Sequence, residues 1–320
     1  MKTLLKVIGW LLAVTLITLY TFRTPDTDPK AMIAKYGAPP SKFLKLGDGQ
    51  IVHMRDEGPA DAPVLVLLHG SNADLHTWDA WTDQLKGKYR VIRLDQIGHG
   101  LTGPDARGDY TTQGFANRLA QVVDTLGVQK FTLAGNSMGG GIAIRYALDH
   151  PERLAALVLV DASGAPVTEQ PKGNLAFKLA ATPGINLILQ QVTPRAMIAK
   201  SIRQSVANQT IVTDAMIDRY WELLRYPGNR QATLTRFALP RVPYTQQQFA
   251  QLKMPVLVMW GEADSLIPLS SGKLMASLIP GSTLITYPGI GHIPMEEAAQ
   301  RSAGDLTIWL AAHGVPGKTG

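Results

Sequence analysis

Ser137 offers the clearest chemistry in the chain. It stands in Gly135-Asn136-Ser137-Met138-Gly139, a G-x-S-x-G pattern between the apolar run Phe131–Ala134 and a helix-spaced stretch reaching Leu148. In a strand–turn–helix setting this pattern forms a nucleophile elbow. The turn is strained, and its flanking residues must be small because strand and helix press against them. Gly140 and Gly141 allow further close approach. The same residues also fit an ordinary strand-to-helix turn in which Ser137 caps the helix. A serine hydroxyl is a poor nucleophile until a base takes its proton, and seven histidines are available for that task. The chain has no cysteine, which removes a thiol nucleophile, disulfides, iron–sulfur clusters and thiolate zinc sites. It leaves the redox compartment open.

The elements that would position such a serine can be read outward from it. Lys42–Leu46 and Ile51–Arg55, around Gly47-Asp48-Gly49, predict a hairpin. Val64–Leu68, Tyr89–Leu94, Phe131–Ala134, Ala155–Val160 and Val256–Trp260 read as strands buried on both faces, with Thr283–Tyr287 a later one. Helical patterns fall near 74–86, 112–126, 138–149, 268–278 and 295–312. The alternation predicts an α/β fold with a mostly parallel sheet, entered through an antiparallel hairpin. From about Ser163 to Tyr244 no buried strand is legible, only helical segments punctuated by Pro183, Pro194, Pro227, Pro240 and Pro243. An insertion of this kind, returning to the core at Met254-Pro255, predicts a helical lid over a site beyond the strand ends.

The 320 residues allow two modest domains or one large one, and 45% apolar with 18% charged residues describe a folded chain. Half of the net charge of +6 lies in the first 40 residues, where Lys2, Lys6, Arg23, Lys30 and Lys35 face Asp26 and Asp28. The remainder has no basic run, so nucleic-acid binding is not expected. Lys2 and Lys6 precede an uncharged stretch from Val7 to Phe22. Sixteen residues of helix cover about 24 Å, and Leu4 and Leu5 bring the span close to the hydrocarbon thickness. Trp10 and Tyr20 suit its interfaces. A cleaved signal peptide is the rival, but bulky Leu19, Tyr20, Phe22 and Arg23 replace a small-x-small cleavage site. The expectation is an uncleaved anchor over 1–24, with an extended, proline-bearing tether over 25–40. The body would then lie on the periplasmic or extracytoplasmic side, or be secreted if cleavage occurs.

Beyond the elbow, Leu67-Leu68-His69-Gly70-Ser71 follows the third strand and Asp95-Gln96-Ile97-Gly98-His99-Gly100 the fourth. Trp260-Gly261-Glu262-Ala263-Asp264 and Gly289-Ile290-Gly291-His292-Ile293-Pro294 come near the C-terminus. With these motifs in order, residues 41–313 resemble the α/β-hydrolase superfamily. The resemblance implies an eight-stranded, mostly parallel sheet with helices on both faces. Its core would comprise 41–162 and 246–320, with a helical cap over 163–245. It also implies Ser137 as nucleophile, His292 as general base and Asp264 as the acid that orients it, in the family's Ser-Asp-His order. Asp161, ending the preceding strand, is the rival acid. The oxyanion hole would use the backbone N–H groups of Met138 and Ser71, with Asn72 the next choice. His69 and His99 are assigned to loop organisation. His53, His76, His150 and His313 lack chemical context, and Glu262 and Asp95 are expected to serve elsewhere.

A serine nucleophile argues against the dehalogenases and epoxide hydrolases that resemble this fold but use aspartate. The expectation is carboxylic ester hydrolysis through an acyl-enzyme, on a small-molecule acyl substrate and with no cofactor or metal. The elbow is also similar to that of meta-cleavage-product hydrolases, which split carbon–carbon bonds. However, Ser71-Asn72-Ala73-Asp74 lacks their Gly-Pro-Gly run, and Ile293 replaces the tryptophan that follows their histidine. Other acyl or peroxide chemistry, and a catalytically idle, membrane-tethered binding module, are the remaining alternatives. Leu175, Phe177, Leu179, Ile185, Leu187 and Ile188 are candidates either for an acyl pocket or for packing within the cap.

Overall fold

The computed structural model describes residues 20–166, 182, 188 and 190–318, together with positions 3, 6, 9 and 10. Strands β1 (Ser41–Lys45), β2 (Ile51–Glu57), β3 (Val64–Leu68), β4 (Arg90–Leu94), β5 (Phe131–Asn136), β6 (Leu154–Val160), β7 (Val256–Gly261) and β8 (Thr283–Tyr287) form one sheet. Their spatial order is β1-β2-β4-β3-β5-β6-β7-β8. β2 runs antiparallel to both β1 and β4, and all pairings from β4 to β8 are parallel. The described helices are α1 (Pro29–Tyr36), α2 (Asp79–Leu85), α3 (Thr112–Thr125), α4 (Met138–Asp149), α5 (Arg195–Ser205), α6 (Asp214–Leu224), α7 (Asn229–Ala238), α8 (Gln246–Ala250), α9 (Leu269–Leu278), α10 (Pro294–Glu297) and α11 (Ala299–Ala312).

The continuous apolar runs of the central strands are explained by burial on both faces. Because side chains alternate along a strand, Val66, Leu68, Leu133, Leu157 and Val258 join a core with Phe115 and Leu119 of α3, Ile142 and Tyr146 of α4 and Met275 of α9. Leu65, Leu67, Ala134, Val158 and Met259 join a second core on the opposite face, with Trp81 of α2 and Leu306 and Leu310 of α11. Ile198, Ile202, Met216 and Ile217, from α5 and α6, join this second core. Helices α5 and α6, which lie between β6 and β7 in the chain, are therefore packed onto the body.

Parallel neighbours end at the same edge of the sheet. The order reverses at β3, whose sequence successor β4 lies on one side and β5 on the other. This is a topological switch point, where α/β sheets open a crevice beyond their carboxyl ends. Leu68 pairs with Gly135 and Asn136 with Val160. The loops after β3, β5, β6, β7 and β8 therefore converge.

Two expected elements take another form. Residues 29–36 are helical rather than an extended tether: the Asp28 side chain caps Ala31 N–H at 2.8 Å and Pro29 occupies the first turn. That helix buries Met32 against Leu101 and Leu223. The helix expected over 295–312 is divided at Ala298 (φ −132°, ψ 42°) into α10 and α11. The membrane-crossing segment expected over 1–24 falls largely outside the described residues; among those, no helix is long and apolar enough to cross a membrane.

Candidate active site

Ser137 occupies the turn between β5 and α4 with φ 52° and ψ −116°. A non-glycine residue there costs about 1–3 kcal/mol and persists only when its surroundings impose it. Ser137 N–H donates to Val160 O (3.0 Å), and Ser137 O accepts from the amides of Gly140 (3.0 Å), Gly141 (3.2 Å) and Ser163 (2.9 Å). A Cβ at Gly139 would lie 2.3 Å from Leu68 O, and one at Gly135 would lie 2.3 Å from Gly139 O. The pattern's two glycines thus answer a close backbone approach. The Ser137 side chain makes no helix-cap bond; the residue lines a cavity instead.

His292 lines the same cavity. Its Nδ1 lies 2.7 Å from Oδ2 of Asp264. A carboxylate only accepts, so Nδ1–H donates and the neutral ring keeps its lone pair on Nε2. Asp264 Oδ1 accepts from Leu266 N (2.7 Å) and Ile267 N (3.0 Å), which fixes the orientation of the carboxylate. The His292 backbone is clamped from two sides: its N–H donates to Ser205 O (2.7 Å), and its carbonyl accepts from Asn136 Nδ2 (3.0 Å). A Cβ at Gly291 would lie 2.6 Å from Ser205 O, so the histidine loop needs glycine where α5 ends against it.

Asp161 lies beside this pair. It is fully buried, has φ 43°, and accepts from Gly261 N (2.9 Å). Asp161, Asp264 and His292 each present an oxygen or nitrogen within 4.8 Å of the others. Burial and the Asp264 charge push the Asp161 carboxyl well above the usual range and so favour its neutral form. Glu262 is turned away and accepts from Thr286 Oγ1 (2.7 Å).

Ser71 and Met138 flank the serine, and neither amide has a backbone acceptor among the described residues. Asn72, at φ 60°, shapes the loop after β3. His69 in that loop and His99 in the loop after β4 are buried. His69 Nε2 accepts from Gln96 N (3.0 Å), so its Nδ1–H donates to Gly70 O (2.7 Å). Burial pushes both rings toward the neutral form. His53 pairs through Nδ1 with Asp95 at 2.6 Å, away from the cavity.

The cavity holds about 730 Å³ of empty space including its mouth, and α5 and α6 wall it with Ile198, Ile202, Tyr220 and Leu224. Leu266 and Ile293 complete the apolar lining. Of the six cap residues that are candidates for an acyl pocket or for packing within the cap, five lie outside the described residues; Ile188 is exposed. Arg219 of α6 faces Asp74 (3.2 Å) and Glu296 (3.6 Å), and Glu296 also accepts from Thr77 and from Tyr220 OH (3.2 Å). This network joins the segment above the site to the loops bearing Ser71 and His292. Sequence reading missed the clamping roles of Asn136 and Ser205. Asn136 stands inside the elbow motif, whereas no local signal marks Ser205.

The chain belongs to the alpha/beta hydrolase fold family, whose model matches residues 63–299. It is similar to the 2-hydroxy-6-oxononadienedioate/2-hydroxy-6-oxononatrienedioate hydrolase of Comamonas testosteroni, 26% identical over 86% of this chain and 97% of that one. It is also similar to Lipase 3 of Moraxella sp., 26% identical over 82% of each. The solved structure of a membrane phospholipase A shares the fold with a TM-score of 0.73 at 24% identity, covering 98% of this chain and 99% of that one.

Proposed function

We propose that this hydrolase cleaves carboxylic esters through an acyl-enzyme on Ser137. The carrying observation is that Ser137, held in a strained turn without a helix-cap bond, opens onto the same cavity as His292, whose Nδ1 is paired with Asp264 at 2.7 Å. His292 Nε2 takes the hydroxyl proton as Ser137 Oγ attacks the acyl carbon. Asp264 stabilises the resulting imidazolium. The negative charge on the carbonyl oxygen is held by the amides of Met138 and Ser71, each such donor worth about 2.7–4 kcal/mol of the barrier. Collapse expels the alcohol, which takes its proton from His292. Water then repeats the sequence and frees the acid.

The apolar wall of Ile198, Ile202, Leu224, Leu266 and Ile293 suits an acyl chain. A second reading, hydrolysis of a carbon–carbon bond in a dienoate, draws on what the Comamonas relative's name says of that protein. Fluorophosphonate labelling of folded wild type and Ser137→Ala separates an enzyme from an idle binding module; an unlabelled wild type sinks the serine hydrolase reading. Turnover of nitrophenyl esters against a dienol substrate then decides the reaction, and faster cleavage of the dienol reverses the choice. The cap over 163–245 is read as the substrate lid, and the apolar segment over 1–24 as a membrane anchor. Fractionation of the full chain against one starting at residue 23 tests the anchor, and equal recovery in the soluble fraction would remove it.

A further inference from the structure

Arg236, on α7, differs from the other inward-facing arginines. Arg93 meets Glu57 and Asp79, Arg118 meets Asp48 and Asp105, and Arg219 faces Asp74 and Glu296. Arg236 has no carboxylate partner among the described residues. Its Nη2 donates to Ser71 Oγ, and its Nε is buried without a hydrogen-bond partner. The charged neighbour that bears on it is Arg241, of the same sign; burial and this repulsion pull its pKa down to about 9. Phe237 packs against both guanidiniums, at 4.3 Å and 5.6 Å from its ring centre.

A guanidinium edge withdrawn from water, with no counter-ion among the described residues, is costly, and the usual remedy is an anion. The unsatisfied edge has the matching shape. Nε and Nη2 form one side of the planar fork, the side with which Arg90 holds both oxygens of Asp56 at 2.8 and 2.9 Å in this protein. At Arg236 that edge meets a single hydroxyl in place of a carboxylate, and that hydroxyl belongs to Ser71, the cavity-lining residue on the loop beside Ser137, with Arg236 behind it.

We propose that Arg236 and the Ser71 hydroxyl form a subsite for a carboxylate carried by the acyl part of the substrate, so that the favoured esters are monoesters of dicarboxylic acids. This rests on the ester hydrolase reading. The carboxylate pairs with Nε and Nη2, and the displaced Ser71 hydroxyl turns to donate a further hydrogen bond to it. One cation calls for one negative charge, which favours a carboxylate over a phosphate dianion.

The test compares nitrophenyl monoesters of glutarate and adipate with the uncharged pentanoate and hexanoate esters, and measures direct binding of glutarate by calorimetry. Wild type should favour the charged ester in kcat/KM by roughly 10- to 100-fold, the range of charge-assisted hydrogen bonds. Arg236→Met should lose that ratio and the glutarate binding, whereas Arg236→Lys, which keeps the cation, should retain part of each. Should Arg236→Met fail to fold, the wild-type ratio and the lysine variant still decide. Preference for the uncharged ester at every length, or an equal loss on both esters in Arg236→Met, would overturn the subsite. Glutarate binding that depends on Arg236 without turnover of any ester would support the subsite and refute the ester reading instead.

Discussion

Two buried carboxyls compete for the neighbourhood of one imidazole, and their hydrogen bonds separate their duties. Asp264 spends its oxygens on His292 and two amides, while burial and the Asp264 charge raise the pKa of Asp161. The folded-state pKa of Asp161 lies above the unfolded value, so its contribution to stability is full below about pH 4 and is lost as pH rises through the folded pKa. Asp161→Asn stays neutral and keeps an acceptor for Gly261. Its stability relative to wild type should therefore climb from pH 4 toward 7, by at most about 1.4 kcal/mol per pH unit. Urea melts at several pH values check this, and parallel curves would refute it. Asp264→Asn presents an amide to Nδ1 and favours the wrong tautomer, so kcat on a nitrophenyl ester should fall about 10⁴-fold while the fold is kept. A tenfold loss or less would remove Asp264 from its assigned role.

At the scale of elements, the strands were legible because each central one is apolar on both faces, and Val64–Leu68 and Thr283–Tyr287 match their expected bounds. The break at Ala298 was not, since nothing local forbids helix there. Its cause is distant: α10 carries Glu296 toward Arg219, and Glu297, which accepts from Gly291 N (2.8 Å) and Ala207 N (3.0 Å). Arg219→Met leaves Asp74 and Glu296 without their shared cation. Removing one partner of a buried ion cluster costs about 3–5 kcal/mol. Denaturant unfolding should show a loss of that order, and a change below about 1 kcal/mol would mean the network is surface-like.

At the scale of the whole molecule, residues 23–40 act as a clasp rather than a spacer. Lys35 pairs with Glu222 and Asp26 with Arg230, at 2.7 and 2.6 Å, and Met32 is buried beside Leu223. These contacts join the N-terminal region to α6 and α7. A chain starting at residue 41 should lose about 2–5 kcal/mol, the usual cost of emptying a buried methionine site. One starting at residue 23 should melt with the full chain. Equal thermal midpoints for both truncations would show the clasp to be idle.

What the sequence determined alone was local in origin. The alternation of apolar runs set the sheet, and the glycines around Ser137 marked the one strained turn a serine would need. The order of Asp264 and His292 pointed to the partners that the structure sets 2.7 Å apart. Tertiary structure decided what depends on elements far apart in the chain meeting at one edge. It decided which of two aspartates holds the imidazole and that Asn136 and Ser205 clamp the histidine loop. It also left Arg236 without a carboxylate partner among the described residues. Distances across the crevice and the withdrawal of charge from water exist only once the strands lie side by side, and no residue carries them in its own type or spacing.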